Sequence, residues 1–223
     1  MDLQSTSTNL ESSFAFQNWG LVEYEEALIR QTELVDLVSR EQARETIVFC
    51  SHPPVVTVGR ATQPDDLLSW NGKVVEVSRG GRATYHGPSQ LIAYPILDLN
   101  LRGRNLHKFF RQIEDAIIRT LLEFEIEAFG RSLQKMDEDM VEATGVWVGP
   151  RKIASIGIAV RRWISYHGLA LNIDSDPGAF QGMKPCGFSP ETMISMQEIL
   201  GQKLDRSRIE MSLYKNLSLL FLN

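Results

Sequence analysis

The fold is decided by the stretch Gly145-Val-Trp-Val-Gly-Pro-Arg-Lys-Ile-Ala-Ser-Ile-Gly157, in which a turn separates two apolar runs. Gly145 to Val148 predicts one strand, and residues 153–160 predict a second strand that runs back after the Gly149-Pro150-Arg151 turn. A further strand is predicted for residues 163–173. Strands therefore dominate the middle of the chain.

The segments on either side of this centre alternate between predicted helices and short strands. Buried-type apolar runs predict strands at residues 46–50, 55–60 and 74–77. Amphipathic helices are predicted at residues 21–44, 105–126 and 207–220, because apolar residues recur on one face of each. The faces expected to pack inward are Leu21, Tyr24, Leu28, Val35 and Val38, then Leu106, Phe110, Ile113, Ile117, Leu121 and Phe124, and finally Ile209, Leu213, Leu217 and Leu220. This order predicts an α/β (α+β) fold, a mixed β-sheet with surrounding helices.

Composition excludes several classes of protein. The chain has 223 residues, of which 43% are hydrophobic and 23% charged, as in an ordinary globular domain. A net charge of −5 argues against nucleic-acid binding, and no apolar run approaches the ~20 residues of a membrane span. Residues 1–13 are polar and lack the basic and apolar regions of an export signal. We therefore expect a flexible tail at residues 1–13 and a single domain at residues 14–223, in the cytoplasm.

The two cysteines lie in different local sequences. Cys186 lies between Pro185 and Gly187, which disfavour a regular helix or a central strand, so its thiol is expected at a backbone turn. Cys50 ends a buried-type strand, where a thiol usually acts as a small hydrophobic group. Two cysteines without an export signal are typical of reduced cytosolic thiols. Cys186 is therefore either a nucleophile or only a turn residue.

Three glycine-bearing segments are candidates for a binding site: residues 79–88, 152–157 and 165–172. Glycines let the backbone approach a ligand and expose N–H groups that hold a carbonyl or an anion. The alternative for the first segment is a tight turn between strands. It is neither a dinucleotide fingerprint nor a phosphate loop, because no glycine-rich turn of the required spacing opens a helix and no Gly-Lys-Ser/Thr follows.

Charged and titratable residues in these segments suggest several chemistries. Lys152 opens an apolar strand; it is either solvated and inert or placed in a pocket where it can move protons. His86 and His167 each allow a Cys–His dyad, although a single histidine is more often a structural hydrogen-bonding group. No spacing typical of zinc ligands is present, so no metal is expected.

Taken together, five motifs in order resemble the lipoyl(octanoyl) transferases. The motifs are Arg79-Gly-Gly-Arg-Ala-Thr-Tyr-His-Gly-Pro-Ser-Gln-Leu-Ile-Ala-Tyr-Pro95, Gly145-Val-Trp-Val148, Arg151-Lys-Ile-Ala-Ser-Ile-Gly157, His167-Gly-Leu-Ala-Leu-Asn172 and Pro185-Cys-Gly187. The resemblance implies a fold like the catalytic domain of biotin and lipoate protein ligases. It also implies transfer of an octanoyl group from octanoyl-acyl carrier protein to a lysine of apo lipoyl domains, those of 2-oxoacid dehydrogenases and the glycine-cleavage H protein.

The resemblance also assigns roles to residues. It makes Cys186 the acyl-carrying nucleophile and Lys152 its activating partner. The expected substrate-binding residues are Arg79, Gly80, Gly81, Arg82, Ala83, Thr84, Tyr85, His86, Ser155, Ile156, Gly157, His167, Gly168, Leu169 and Ala170. Two departures concern loop shape: Ser89 replaces the family's usual glycine, and Ile194-Ser195-Met196 replaces its usual Thr-Ser-Leu.

The predicted chemistry is a ping-pong transfer without a cofactor. A thiolate can exchange with a thioester near thermoneutrality, which removes the need for ATP. Basic residues near the motifs are expected to dock the acidic carrier: Arg79, Arg82, Arg151, Arg161, Arg162 and Lys184. The alternatives are an ATP-dependent lipoate- or biotin-type ligase and an inactive scaffold that binds lipoyl domains.

Overall fold

The computed structural model describes residues 14–131 and 144–222, so the expected tail at residues 1–13 lies outside the described residues. Within them the chain forms ten strands and four α-helices. The strands are β1 (Ala15–Leu21), β2 (Thr46–Ser51), β3 (Val55–Val58), β4 (Lys73–Glu76), β5 (Thr84–His86), β6 (Gln90–Ile96), β7 (Phe129–Gly130), β8 (Gly145–Val148), β9 (Arg151–Arg161) and β10 (Ile164–Asn172). The helices are α1 (Tyr24–Ser39), α2 (Leu106–Leu122), α3 (Met196–Leu200) and α4 (Arg206–Phe221).

The strands form a large mixed sheet and a small one. The large sheet has the order β1-β2-β6-β10-β9-β8-β7. In this sheet β1 is parallel to β2, and every other pair of neighbouring strands is antiparallel. The small sheet has the order β4-β3-β5, with β3 parallel to β4 and antiparallel to β5. The predicted α/β class with a mixed sheet is therefore confirmed.

Helices cover both faces of the large sheet. α2 and α4 pack on one face against side chains such as Phe49 and Leu91. α1 packs on the other face, where Val48, Ile92 and Tyr94 point. Because successive residues of a strand point to opposite faces, β2 and β6 contribute to both cores. No helix in residues 14–131 and 144–222 has the length and apolar character needed to cross a membrane.

The predicted hairpin is confirmed, as are the strands at residues 46–50, 55–60, 74–77 and 163–173, each with small boundary shifts. The helix predicted at residues 21–44 is shorter, because Leu21 ends β1 and is 62% exposed. The prediction missed β1, an edge strand in which the polar Gln17 and Asn18 follow each other. It also missed β6, whose seven residues are all buried.

The buried face of α2 differs from the prediction in the first turn of the helix. Phe109 is 2% exposed, whereas Leu106 is 37% exposed and Phe110 is only partly buried. Asn105 is not in the helix but caps it, with its side chain accepting a hydrogen bond from the Lys108 N–H. The ring of Phe109 packs against Phe221 of α4, which takes the place in the core that was predicted for Leu220. Tertiary packing against α4, rather than helical periodicity alone, therefore determines which face of α2 is buried.

Candidate active site

Cys186 lies in a one-turn 3₁₀ segment, Pro185–Gly187, in a conformation rare for a residue with a side chain. Its φ and ψ are 54° and 27°, in the left-handed region. Such a conformation costs about 1–3 kcal/mol and persists only where the surroundings hold it. The Cys186 N–H donates to the Ala83 carbonyl at 2.7 Å. This bond connects the turn to residues 79–88, which we call the glycine-rich loop. The thiol is partly exposed, and its sulfur lies 3.9 Å from the Ser155 hydroxyl.

Lys152 is almost completely buried, although it opens a strand. The residue is 1% exposed. Its Nζ lies 5.6 Å from the Trp147 ring centre and 5.7 Å from the Phe188 ring centre. Aromatic faces attract a cation at this distance. The pairing of β8 with β9 shifts register next to Lys152, and such irregularities re-aim a side chain. Gly145, at φ 139°, leaves room for the lysine, since a Cβ there would lie 2.8 Å from its Cε.

Lys152 and Cys186 line the same cavity, between α1, the large sheet and the glycine-rich loop. The predicted substrate-binding residues that also line it are Arg79, Gly80, Gly81, Arg82, Thr84, His86, Ser155, Ile156, Gly157, His167, Gly168, Leu169 and Ala170. Sequence motifs from distant parts of the chain thus meet around one space.

Two of the predicted substrate-binding residues do not line this cavity. Ala83 acts through its carbonyl, which holds the Cys186 N–H. Tyr85 points away, because side chains alternate along β5, and its ring packs against Trp70 and Phe180. Sequence reasoning in turn missed Tyr24, Ile92, Tyr94 and Thr144, which line the cavity. Tyr94 and Ile92 lie within the quoted Arg79–Pro95 motif, so strand alternation from His86 onward was the available signal.

The far part of the cavity wall holds a cluster of phenols and imidazoles. His52 donates through Nδ1 to the Val22 carbonyl at 2.7 Å, so its Nε2 accepts from the Tyr94 hydroxyl, also at 2.7 Å. Tyr24 and His167 Nδ1 lie 3.3 Å apart. Burial lowers the pKa of His167 to about 3, with the charge of Arg79 adding to the effect.

His86 is affected in the same way: burial first, then neighbouring positive groups, holds its pKa well below the usual range. A group with so low a pKa is a weak base near neutral pH. The Ser155 hydroxyl is a polar group next to the Cys186 sulfur. The arrangement therefore favours Lys152 over His86 or His167 as the proton-transfer group.

The basic residues expected to dock a carrier protein are mostly engaged within the chain. Arg82 pairs with the buried carboxylate of Asp66, and Lys184 with Asp65 at 2.6 Å. Arg151 lies 3.5 Å from Glu198, and Arg161 and Arg162 both approach Asp36. Arg79 is only 6% exposed, so its assignment as a surface docking residue is wrong.

No group of three or more His, Cys, Asp or Glu side chains in residues 14–131 and 144–222 is arranged to hold a metal ion. The site instead combines a partly exposed thiol with a buried lysine.

Comparison with solved structures gives the fold class. The fold matches lipoate-protein ligase A bound with ATP at a TM-score of 0.69 and 15% identity, covering 94% of this chain and 86% of that one. It matches the bi-partite lipoate protein ligase of Thermoplasma acidophilum at 0.64 and 13%, covering 94% and 84%. The biotin protein ligase of Aquifex aeolicus, in complex with biotin and ATP, matches at 0.57 and 13%, covering 93% and 70%. The predicted likeness to the catalytic domains of these ligases is confirmed.

Sequence relatives narrow this class to a family. The lipoyl protein ligase A/B catalytic domain matches residues 23–218, and the chain belongs to that family. It is 48% identical to the octanoyltransferase of Bdellovibrio bacteriovorus, over 91% of this chain and 96% of the relative. It is 39% identical to that of Syntrophotalea carbinolica, over 86% of each. These relatives are acyltransferases.

Proposed function

We propose that this chain, as a single catalytic domain, transfers octanoyl groups from octanoyl-acyl carrier protein to a lysine of lipoyl domains, through an acyl-thioester on Cys186. The observation that carries the proposal is the shared cavity of a strained, partly exposed thiol and a buried lysine. The named activity of relatives up to 48% identical supports the acyl group. Acceptance by a lipoyl domain is supported by the likeness to the Thermoplasma acidophilum structure of a bi-partite lipoate protein ligase and its E2 lipoyl domain.

The first half-reaction loads the enzyme. The Cys186 thiolate attacks the thioester carbonyl, a carbon–sulfur bond forms, and negative charge moves to the carbonyl oxygen. Backbone N–H groups around the glycine-bearing segments are suitable donors to this oxyanion. The carrier's thiolate leaves and takes a proton from the Lys152 ammonium, so the step ends with acyl-Cys186, a neutral Lys152 and a free carrier thiol.

The second half-reaction unloads the enzyme by the reverse movement of the proton. The amine of the acceptor lysine attacks the acyl-Cys186 carbonyl, and neutral Lys152 accepts the proton that the nitrogen must lose. The carbon–sulfur bond breaks and the thiolate beside the ammonium is restored. Lys152 thus regains in the second half-reaction the proton that it gave up in the first. No nucleotide or metal enters either step.

The cavity wall suits an apolar chain next to the reacting carbonyl. Ile92, Ile156, Leu169 and Ala170 line it. Seven carbons beyond the carbonyl, at about 0.8 kcal/mol each, give an upper bound of about 5–6 kcal/mol for burial of the chain. This is enough to select a medium-length acyl group over a short one.

The decisive experiment is intact-mass analysis after incubation with octanoyl-acyl carrier protein. One octanoyl mass should appear, lie in the peptide containing Cys186, and disappear when an apo lipoyl domain is added. A mass increase located on Cys50, or none in an enzyme that still modifies the lipoyl domain, would contradict the acyl-enzyme.

The alternative is an ATP-dependent ligase, favoured by the fold likeness to lipoate-protein ligase A bound with ATP. Octanoylation of the lipoyl domain in EDTA without nucleotide separates the two. Activity that requires ATP and magnesium would establish the ligase, whereas an inactive scaffold would show binding without either product.

A further inference from the structure

Arg79 carries a buried positive charge without a carboxylate partner. The residue is 6% exposed, and its guanidinium donates to the carbonyls of Gly80 at 3.0 Å and Arg82 at 2.9 Å. It also donates to the Thr57 carbonyl at 3.0 Å and to the Thr57 hydroxyl at 2.7 Å. All of these acceptors are neutral. Among the described residues, no ion pair within 4.0 Å includes Arg79.

Its neighbour Arg82 shows what a structural arginine looks like in the same loop. Arg82 makes a two-pronged interaction with Asp66, whose side chain is fully buried. An isolated buried charge costs several kcal/mol unless an opposite charge compensates it. Thr57, Gly80 and Arg82 fix the guanidinium in place but leave its charge available to the cavity.

The geometry places this charge in the cavity that the nucleophile also lines. Arg79 and Cys186 line the same cavity, and two consecutive carbonyls connect them: Arg82 accepts from Arg79, and Ala83 accepts from the Cys186 N–H. The stem of Arg79 lies against the backbone of Gly157, where a Cβ would be 2.8 Å from Cδ. The side chain is therefore held by packing along its stem and by hydrogen bonds at its guanidinium.

Three groups that can carry negative charge lie within electrostatic reach of the guanidinium: Tyr24, Cys186 and Tyr94. Burial raises the pKa of both phenols above their ordinary value, so they stay neutral. Burial lowers the pKa of Arg79, although a guanidinium in a protein remains protonated. The third group, Cys186, lies in the left-handed turn and is partly exposed.

We propose that Arg79 is a positioning residue whose fixed charge stabilises the Cys186 thiolate, while Lys152 carries the proton. This division of labour rests on the proposed acyl-enzyme function. It follows from the chemistry of the two cations, because a guanidinium keeps its proton and an ammonium can release one.

The first test measures thiol reactivity without any acyl donor. In a Cys50→Ser background, the rate of Cys186 alkylation by iodoacetamide is followed from pH 5 to pH 10. Arg79→Gln should slow alkylation at pH 7 about tenfold and move the half-maximal rate to higher pH, whereas Arg79→Lys should retain most of the parental rate. Thr57→Val is the matched control, since it removes one acceptor and no charge; its profile should stay within about threefold of the parent.

The shift should persist when Arg79→Gln is made in a Lys152→Met background, because two separate cations act on the thiol. An Arg79→Gln profile that overlies the parental one would overturn the proposal. This assay uses no acyl group, so a negative result here does not decide whether Cys186 carries an octanoyl group. Absence of the octanoyl mass on Cys186 would likewise not decide whether Arg79 changes the alkylation rate.

A second test keeps Arg79 intact in case Arg79→Gln does not fold. Cys186→Asp places a permanent anion at a left-handed position that Asp and Asn both tolerate, and Cys186→Asn is its neutral counterpart. Above pH 6 the Asp variant should unfold at a higher temperature than the Asn variant, also in the Lys152→Met background. Equal unfolding temperatures in that background would show that Arg79 does not supply the compensating charge.

Discussion

The regions around the two cysteines differ in every property that controls thiol reactivity. Cys50 lies in β2, is 2% exposed, and has a thiol whose pKa burial raises far above its ordinary value. Cys186 lies in a left-handed turn, is partly exposed, and shares its cavity with Lys152 and Arg79. Backbone conformation and neighbouring charge, rather than the presence of a thiol, therefore decide which cysteine can react.

The same comparison bears on the alternative of a Cys–His dyad. A close Cys–His contact exists at Cys50, whose sulfur lies 3.7 Å from His52 Nε2. That nitrogen already accepts from Tyr94, and burial lowers the pKa of His52. A thiol and an imidazole thus meet at the buried Cys50, whereas the cavity that Cys186 lines also contains Lys152 and Arg79.

The largest expected effect is the loss of turnover when the reactive region loses its thiol. Cys186→Ala should reduce octanoyl transfer by about 10³-fold or more, since it removes the nucleophile itself. Steady-state octanoylation of an apo lipoyl domain, read by mass, measures this directly. Activity close to that of the parent in Cys186→Ala would show that Cys186 is not the nucleophile.

Lys152→Arg should separate the two half-reactions. The variant keeps a cation beside Cys186, so acylation should fall only about tenfold; transfer to the lipoyl domain should fall about 10²-fold or more, because guanidinium cannot accept a proton. Single-turnover kinetics from octanoyl-acyl carrier protein and from preformed acyl-enzyme measure each half. Lys152→Met is the matched variant without charge and should lose both steps. Normal transfer from acyl-enzyme in Lys152→Arg would reduce Lys152 to an electrostatic partner.

The three buried histidines should affect the stability of the chain more than its turnover. His52, His86 and His167 have pKa values lowered in the folded chain, so below about pH 6.5 the unfolded chain binds protons that the folded chain cannot. The free energy of unfolding should therefore fall as pH falls from about 6.5 towards 3. Each buried histidine contributes a slope of about 1.4 kcal/mol per pH unit.

Urea unfolding followed by tryptophan fluorescence at pH 7, 6 and 5 measures this slope. His167→Gln should flatten it by about one proton's contribution, whereas His107→Gln on the exposed surface of α2 should leave it unchanged. Identical slopes in the parent and His167→Gln would mean that His167 is protonated in the folded chain.

Local sequence was sufficient where neighbours in the chain are neighbours in space. The β8–β9 hairpin follows from the Gly149-Pro150 turn between two apolar runs, and Cys186 follows from the proline and glycine beside it. β1 could not be found this way, because its parallel partner β2 lies beyond the whole of α1 and its own residues include Gln17 and Asn18.

The candidate site was predictable in its motifs but not in its charge balance. Nothing in the order Arg79-Gly-Gly-Arg82 distinguishes the arginine that pairs with Asp66 from the one without a carboxylate. Tyr24 reaches the cavity from α1, a helix predicted only as a cover for the sheet. These features depend on which distant carboxylates and helices pack against the loop, so tertiary contacts determine them.

The smallest effect is expected at the inert thiol, and it completes the comparison. Cys50→Ala removes one buried sulfur from the core between α1 and the sheet, which should cost about 1 kcal/mol of unfolding free energy and leave transfer within about twofold. Urea unfolding and the lipoyl-domain assay on one preparation give both numbers. A large loss of turnover with unchanged stability would place Cys50 in the reaction. A loss of both together would instead show that the Cys50–His52–Tyr94 contacts hold the cavity wall, because Tyr94 is part of that wall.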